Sequence, residues 1–223
     1  MPLRNAAFIS YRHGQYGLMR QFVEDLYAAL CNELEPMLGQ NVVYLDKGRL
    51  RGGDFYNQEL ARNLYESATM ILIYTPTYFE EAQPYCTCEF LAMENIEKER
   101  LRLLGLEISR RHGLIIPIVL RGTAYLPETI RSRRQYHNFE NFHLGERRMS
   151  HHPRFAPLIR EIAAYVYDRF YELRNLPEEV FAHADEFCMP SVNEAAEFLN
   201  TVNPYRPPFP GRGRDLCGLQ VAN

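Results

Sequence analysis

The residues best placed to do chemistry are Tyr85-Cys86-Thr87-Cys88-Glu89, ten residues beyond the apolar run Met70–Tyr74. An acidic side chain there reads as opening a helix just past a buried strand, at the rim where open α/β sheets bind ligands. A single carboxylate held near the anomeric carbon of a sugar stabilises an oxocarbenium-like transition state. Arg12, at the exit of the first apolar run, has the planar fork that grips a phosphate or ribose oxygen; its plainer use is a surface ion pair. Tyr74 and Tyr78 flank the end of Met70–Tyr74 and offer rings to a base, or simply pack. Asp46 ends another apolar run and suits a loop-fixing acceptor. Cys86 reads as a small packed side chain, with no nearby base to make it a thiolate nucleophile.

Such a site needs a scaffold, and the chain alternates strand and helix signals to supply one. Apolar runs at Ala6–Ser10, Val42–Leu45, Ala68–Tyr74 and Leu114–Leu120, with a weaker one at Gln135–Phe139, read as five strands. Leu18, Phe22, Leu26, Leu30 and Leu34 recur every four residues, as on the buried stripe of a helix that ends between Pro36 and Gly39. Asp54 is placed to cap a helix with Phe55, Leu60 and Leu64 inward. Further helices are expected from near Glu89 to Leu104 and from Arg154 to Leu173. Pro117 removes a ladder donor, which puts its strand near an edge or a bulge. Five alternations imply βαβ units and a parallel sheet covered on both faces, in the flavodoxin-like order 2-1-3-4-5. The ligand crevice then lies between the first and third strands, where Ser10-Tyr11-Arg12 and Thr75-Pro76-Thr77-Tyr78 emerge.

Composition narrows the class. In 223 residues, 46% are hydrophobic, enough for a packed domain, and the formal charge of −3 argues against a dedicated nucleic-acid binder. No apolar stretch approaches the ~18 residues of a membrane span, and strand signals begin too early for a secretory leader. Five cysteines at irregular spacing, Cys31, Cys86, Cys88, Cys188 and Cys217, are no disulfide framework and point to a reducing, cytoplasmic setting. The Cys86/Cys88 pair lacks the partners of a zinc set, so no metal is expected. After Asn175 the pattern changes: Ser191-x-x-Glu194 is a capping box for a short helix to about Leu199, and 203–211 is proline-dense. The expected division is 1–174 for the main domain and 175–223 for a C-terminal extension.

Four segments together resemble the Toll/interleukin-1 receptor/resistance (TIR) domain. They are Phe8-Ile9-Ser10-Tyr11-Arg12; Tyr44-Leu45-Asp46 with Gly52-Gly53-Asp54-Phe55; Ser67 followed by Met70–Tyr74 and Thr75-Pro76-x-Tyr78; and the aromatic-Cys-x-x-Glu of Tyr85 to Glu89. Tyr85 stands where the family usually has Trp. The resemblance implies a flavodoxin-like fold and, in the enzymatic members, cleavage of the nicotinamide–ribose bond of NAD to nicotinamide and ADP-ribose or a cyclised isomer. It makes Glu89 the catalytic carboxylate, and Phe8, Arg12, Asp46, Phe55, Tyr74, Tyr78 and Tyr85 the candidate substrate-binding residues. NAD is then the substrate, with no bound cofactor. Stand-alone bacterial relatives imply antiviral nucleotide signalling to a separate effector, and self-association, with Lys47–Gly53 as the expected contact. Two other readings stay open: a non-catalytic TIR adaptor, and a relative of the nucleoside deoxyribosyltransferases.

Overall fold

The structure is a computed structural model that describes residues 3–14, 17–39, 42–46, 54–81, 84–107, 111–142, 148–181, 184 and 186–202. The strands are β1 (Asn5–Tyr11), β2 (Val43–Leu45), β3 (Ser67–Tyr74), β4 (Ile115–Val119) and β5 (His137–Asn138). All neighbours pair in parallel in the order β2-β1-β3-β4-β5, the flavodoxin-like arrangement expected from the strand–helix alternation. The helices are α1 (Gly17–Leu38), α2 (Asp54–Tyr65), α3 (Tyr85–Leu103), α4 (Glu128–Arg131), α5 (Phe155–Arg174) and α6 (Val192–Val202).

β1 and β3 are buried along their whole lengths, because helices cover both faces of the sheet. Alternate residues therefore feed two cores. Phe8, Met70, Leu72 and Tyr74 pack with Leu60 and Leu64 of α2 and Phe90, Met93 and Ile96 of α3. Ile9, Ile71 and Ile73 pack with Phe22, Leu26 and Leu30 of α1 and Ile159, Ile162 and Val166 of α5. Each such side chain contributes roughly 1.5–3 kcal/mol by leaving water.

Several elements depart from the sequence expectation in instructive ways. Leu18 is 44% exposed, although it continues the four-residue repeat of α1. It sits in the first turn, and Met19, one step round the helix, packs against the core instead. The end of α1 falls within the expected span: the helix passes Pro36, runs to Leu38 and ends at Gly39, with a φ of +86° and its N–H on the Glu35 carbonyl at 2.9 Å. That left-handed residue, not the proline, is the terminator.

β4 lies inside the sheet order, yet Pro117 is still at an edge. Leu114 and Leu120 bond toward β3, whereas Val119 accepts from Phe139 on the other side. Pro117 shares the parity of Val119, so its missing N–H faces the β5 side. There pairing begins only at Ile118↔His137.

α3 begins at Tyr85, four residues before Glu89, because Pro84 precedes it and its carbonyl already accepts from Cys88 at 2.9 Å. Proline is at home at a helix start, so Pro84 was the boundary signal in the sequence. Glu89 accordingly lies in the second turn rather than opening the helix.

Beyond Asn175 the chain returns along α2 and α3. Tyr65 donates to the Val180 carbonyl at 2.9 Å, and its ring lies 5.0 Å from that of Phe187. Phe198 of α6 packs on Phe79 and Phe90 at 5.9 and 5.5 Å. The capping box forms: Ser191 N donates to Glu194 Oε2 at 2.8 Å, and Glu194 N to Ser191 Oγ at 3.3 Å. α6 continues to Val202, past the expected end at Leu199. Among the described residues no helix is long and apolar enough to cross a membrane. The glycine-bearing segment Lys47–Gly53, the Phe55 side chain and the proline-dense segment lie outside the described residues.

Candidate active site

β1 and β3 lie side by side with β2 and β4 on their outer sides, and three polar side chains meet at their C-terminal ends. Ser10 is the penultimate residue of β1. Tyr78 follows β3 in a turn closed by its own N–H on the Thr75 carbonyl at 2.8 Å. Glu89 enters from α3. Ser10 Oγ donates to Glu89 Oε2, and the Tyr78 and Ser10 hydroxyl oxygens are 2.6 Å apart. Ser10 has one proton, which goes to the carboxylate, so Tyr78 donates to Ser10. The result is a directional chain, Tyr78 to Ser10 to Glu89, that fixes one carboxylate oxygen. All three are buried, Glu89 to 3% exposure.

The surroundings are acidic and aromatic. Phe8 stacks on Tyr44 with ring centroids 5.3 Å apart. The Tyr44 phenol is pushed up to about 12, by burial first and then by Asp46, Glu59 and Glu89. Three carboxylates thus act on one phenol, from the end of β2, from α2 and from α3. Such a field favours positive charge in its midst. Burial, and next the charge of Glu89, raise the Cys88 thiol, which leaves it a poor nucleophile. Cys86 is also buried.

The residues singled out from the sequence fall into three groups. Tyr78 joins Glu89 through Ser10, while Phe8 stacks on Tyr44, the phenol on which Asp46 and Glu89 both act. Arg12 and Tyr74 are engaged elsewhere: Arg12 pairs with Glu80 and donates to the Thr77 carbonyl at 2.6 Å. Tyr74 donates to the Tyr125 carbonyl at 2.7 Å from within the core. Tyr85, 54% exposed, lines a separate, mainly apolar cavity of about 340 Å³ with Cys88, Leu60, Phe187 and Met189. The Phe55 side chain lies outside the described residues. His13 stacks on Tyr11 at 4.3 Å.

Sequence reasoning passed over Ser10, Tyr44 and Glu59. Ser10 and Tyr44 stood inside the quoted segments, but nothing local marks a serine as the donor to a carboxylate 79 residues away. Among the described residues no group of three or more His, Cys, Asp or Glu is arranged to hold a metal.

A flavodoxin-like domain with a fixed carboxylate where the strand order reverses defines the class of protein. The chain matches the family model described as TIR domain over residues 7–149, and it belongs to that family. No curated protein matches it.

Proposed function

We propose that this chain cleaves the nicotinamide–ribose bond of NAD, with Glu89 as the catalytic carboxylate. The observation that carries the reading is the Glu89 carboxylate, held by Ser10 at the strand-order reversal between β1 and β3, with Asp46 and Glu59 acting on the same neighbour. Nicotinamide in NAD is a cationic pyridinium and leaves as a neutral ring, so the leaving group needs no general acid. What the reaction needs is a negative group beside the anomeric carbon while the oxocarbenium charge develops, and a fixed carboxylate supplies it. Water attacking that carbon gives ADP-ribose; a nitrogen of the substrate's own adenine gives a cyclic isomer. Phe8 and Tyr44 form a stacked wall for a ring, and Tyr78 acts through Ser10. Arg12, Asp46, Phe55, Tyr74 and Tyr85 complete the proposed substrate-binding set, Arg12 after exchanging Glu80 for a phosphate oxygen.

In this reading residues 1–174 are the TIR domain and 175–223 an extension braced against it. The protein is cytoplasmic, self-associates through Lys47–Gly53, and releases a nucleotide signal to an effector in antiviral defence. Glu89 at 3% exposure corresponds to a resting state that assembly opens. The same burial favours the second reading, an adaptor whose carboxylate only braces α3 against β1. Chromatography of NAD incubated with wild type and Glu89→Gln at high protein concentration separates them. Nicotinamide release that the substitution abolishes supports the enzyme; release by both proteins removes Glu89 from the catalytic role, and self-association with no release under any condition supports the adaptor.

A further inference from the structure

The C-terminal extension reaches the candidate site through the site's sequence neighbours. Phe79 follows Tyr78 in the turn after β3, and Phe90 follows Glu89 on α3. The Phe79 ring packs edge-on against Tyr78 at 4.8 Å and against Phe90 at 5.2 Å. Phe198 of α6 lies on both phenylalanines, at 5.9 Å from Phe79 and 5.5 Å from Phe90. One side chain of the extension thus ties the turn that carries Tyr78 to the helix that carries Glu89. The same turn holds Arg12 through the Thr77 carbonyl at 2.6 Å. With Glu89 at 3% exposure, a ligand reaches the carboxylate only when the elements around it part.

Two features make α6 releasable. It has 11 residues, and helices shorter than about 12–15 residues are marginal alone in water, so docking sustains it. A narrow stripe does that docking: Ala195 and Leu199 are buried and Phe198 partly so, whereas Asn193, Glu197 and Asn200 are exposed. The segment leading into α6 is also underpacked. Residues 187–192 border the cavity of about 340 Å³ together with Leu60 and Ala61 of α2 and Cys88 of α3. Space left there means fewer close contacts to break when the segment lifts.

We propose that α6 is a releasable strap on the Glu89 site: docked, Phe198 locks the turn after β3 to α3 and holds the site shut, and undocking lets the two part to admit a ligand. As an autoinhibitory contact on NAD cleavage the strap rests on the reading above; as a gate it does not. Native-state hydrogen exchange reads the gate without any turnover. The Tyr78 amide bonds to the Thr75 carbonyl at 2.8 Å and the Cys88 amide to the Pro84 carbonyl at 2.9 Å, so both report whether turn and helix stay closed. Phe198→Ala should speed exchange at both by about tenfold, the scale of two lost aromatic contacts. The Met70 amide, bonded to the Leu114 carbonyl deeper in the sheet, should keep its rate. Glu194→Ala undoes the exposed cap of α6 without touching the domain. It should move the same two amides in the same direction, even where Phe198→Ala destabilises the whole fold. Nicotinamide release at low protein concentration should rise about tenfold in Phe198→Ala, in step with the opening. Unchanged exchange at Tyr78 and Cys88, or acceleration that Met70 shares in both variants, overturns the strap. Where the wild type releases nicotinamide, a variant whose release stays level or falls while exchange rises also overturns it, since α6 then braces a working site. Faster exchange at both amides with no nicotinamide from any variant removes the NAD reading and supports the gate.

Discussion

Ser10→Ala tests the candidate site more sharply than removal of the carboxylate itself, because it leaves Glu89 in place and takes away one hydrogen bond that aims it. The bond runs from a neutral hydroxyl to a carboxylate at 3% exposure, and Ser10 is itself 1% exposed. Hydrogen bonds to charged groups contribute about 1.5–3 kcal/mol. At about 1.4 kcal/mol per factor of ten, the full bond corresponds to a ten- to roughly hundredfold loss in rate if the aimed geometry matters only at the transition state. The substitution also strips Tyr78 of its acceptor at 2.6 Å, which costs stability whatever the function. Tyr78→Phe removes the outer link alone. A bond between neutral groups is worth about 0.5–1.5 kcal/mol, so the loss should stay within about tenfold. The assay is nicotinamide release followed over a range of NAD concentrations, beside urea unfolding of each variant. The expected pattern is a fall in kcat with KM little changed, larger for Ser10→Ala than for Tyr78→Phe. Equal kcat in Ser10→Ala and wild type would refute the orienting role, and a larger loss in Tyr78→Phe would reverse the assigned direction of the chain.

Other parts of the structure make independent predictions. Leu199 of α6 is 2% exposed among the side chains of the α2/α3 core, so Leu199→Ala should cost about 2–5 kcal/mol in urea unfolding. Removing residues 176–223 also uncovers Phe79 and Phe90, and the truncated chain should bind a hydrophobic dye that the full chain excludes. Gly122 has a φ of +82°, and an added Cβ would lie 2.5 Å from Pro76 Cγ. Gly122→Ala should therefore lower the melting temperature through both backbone strain and the clash. Glu140 accepts from Thr123 Oγ1 at 2.5 Å and from the N–H groups of Thr123 and Gly122 at 2.9 and 2.6 Å. These bonds, the Thr123 hydroxyl's first, hold its carboxyl below the usual range. A depressed folded-state pKa gives stability that is present at neutral pH and lost as pH falls through the carboxylate range. The wild type should lose that increment between about pH 5 and the depressed folded value, and Glu140→Gln should unfold with a correspondingly flatter acid limb.

How much of this was legible in the sequence depends on the range of the interaction that decides it. Strand order could be read because continuous apolar runs such as Ala68–Tyr74 mark strands buried on both faces, and their alternation with helices allows few topologies. The capping box at Ser191 and Glu194 could be read because both partners sit within four residues. Glu89 stood out through its local context. Its helix starts four residues earlier than the acidic side chain alone suggests, directly after Pro84, whose ring tolerates the first turn and little else.

The acceptors and donors of the site are a different matter. Ser10, Tyr44 and Glu59 join Glu89 only after β1, β2 and α2 are assembled, and no residue type announces such a partner in advance. The same assembly decides what Arg12 and Tyr74 do, since each finds a carbonyl or carboxylate that the chain brings from afar. Under the proposed function this assembly also bears on the order of events. Arg12 reaches a ligand only by leaving Glu80, and Glu89 meets a sugar only if α3 and β1 part enough to admit it. Both changes occur where the turn after β3 lies between them, with Thr77 bonded to Arg12 and Tyr78 to Ser10. A shift of that one turn frees the arginine and loosens the hydroxyl chain together. Opening the site and preparing the phosphate contact are therefore one motion in the proposed enzyme rather than two.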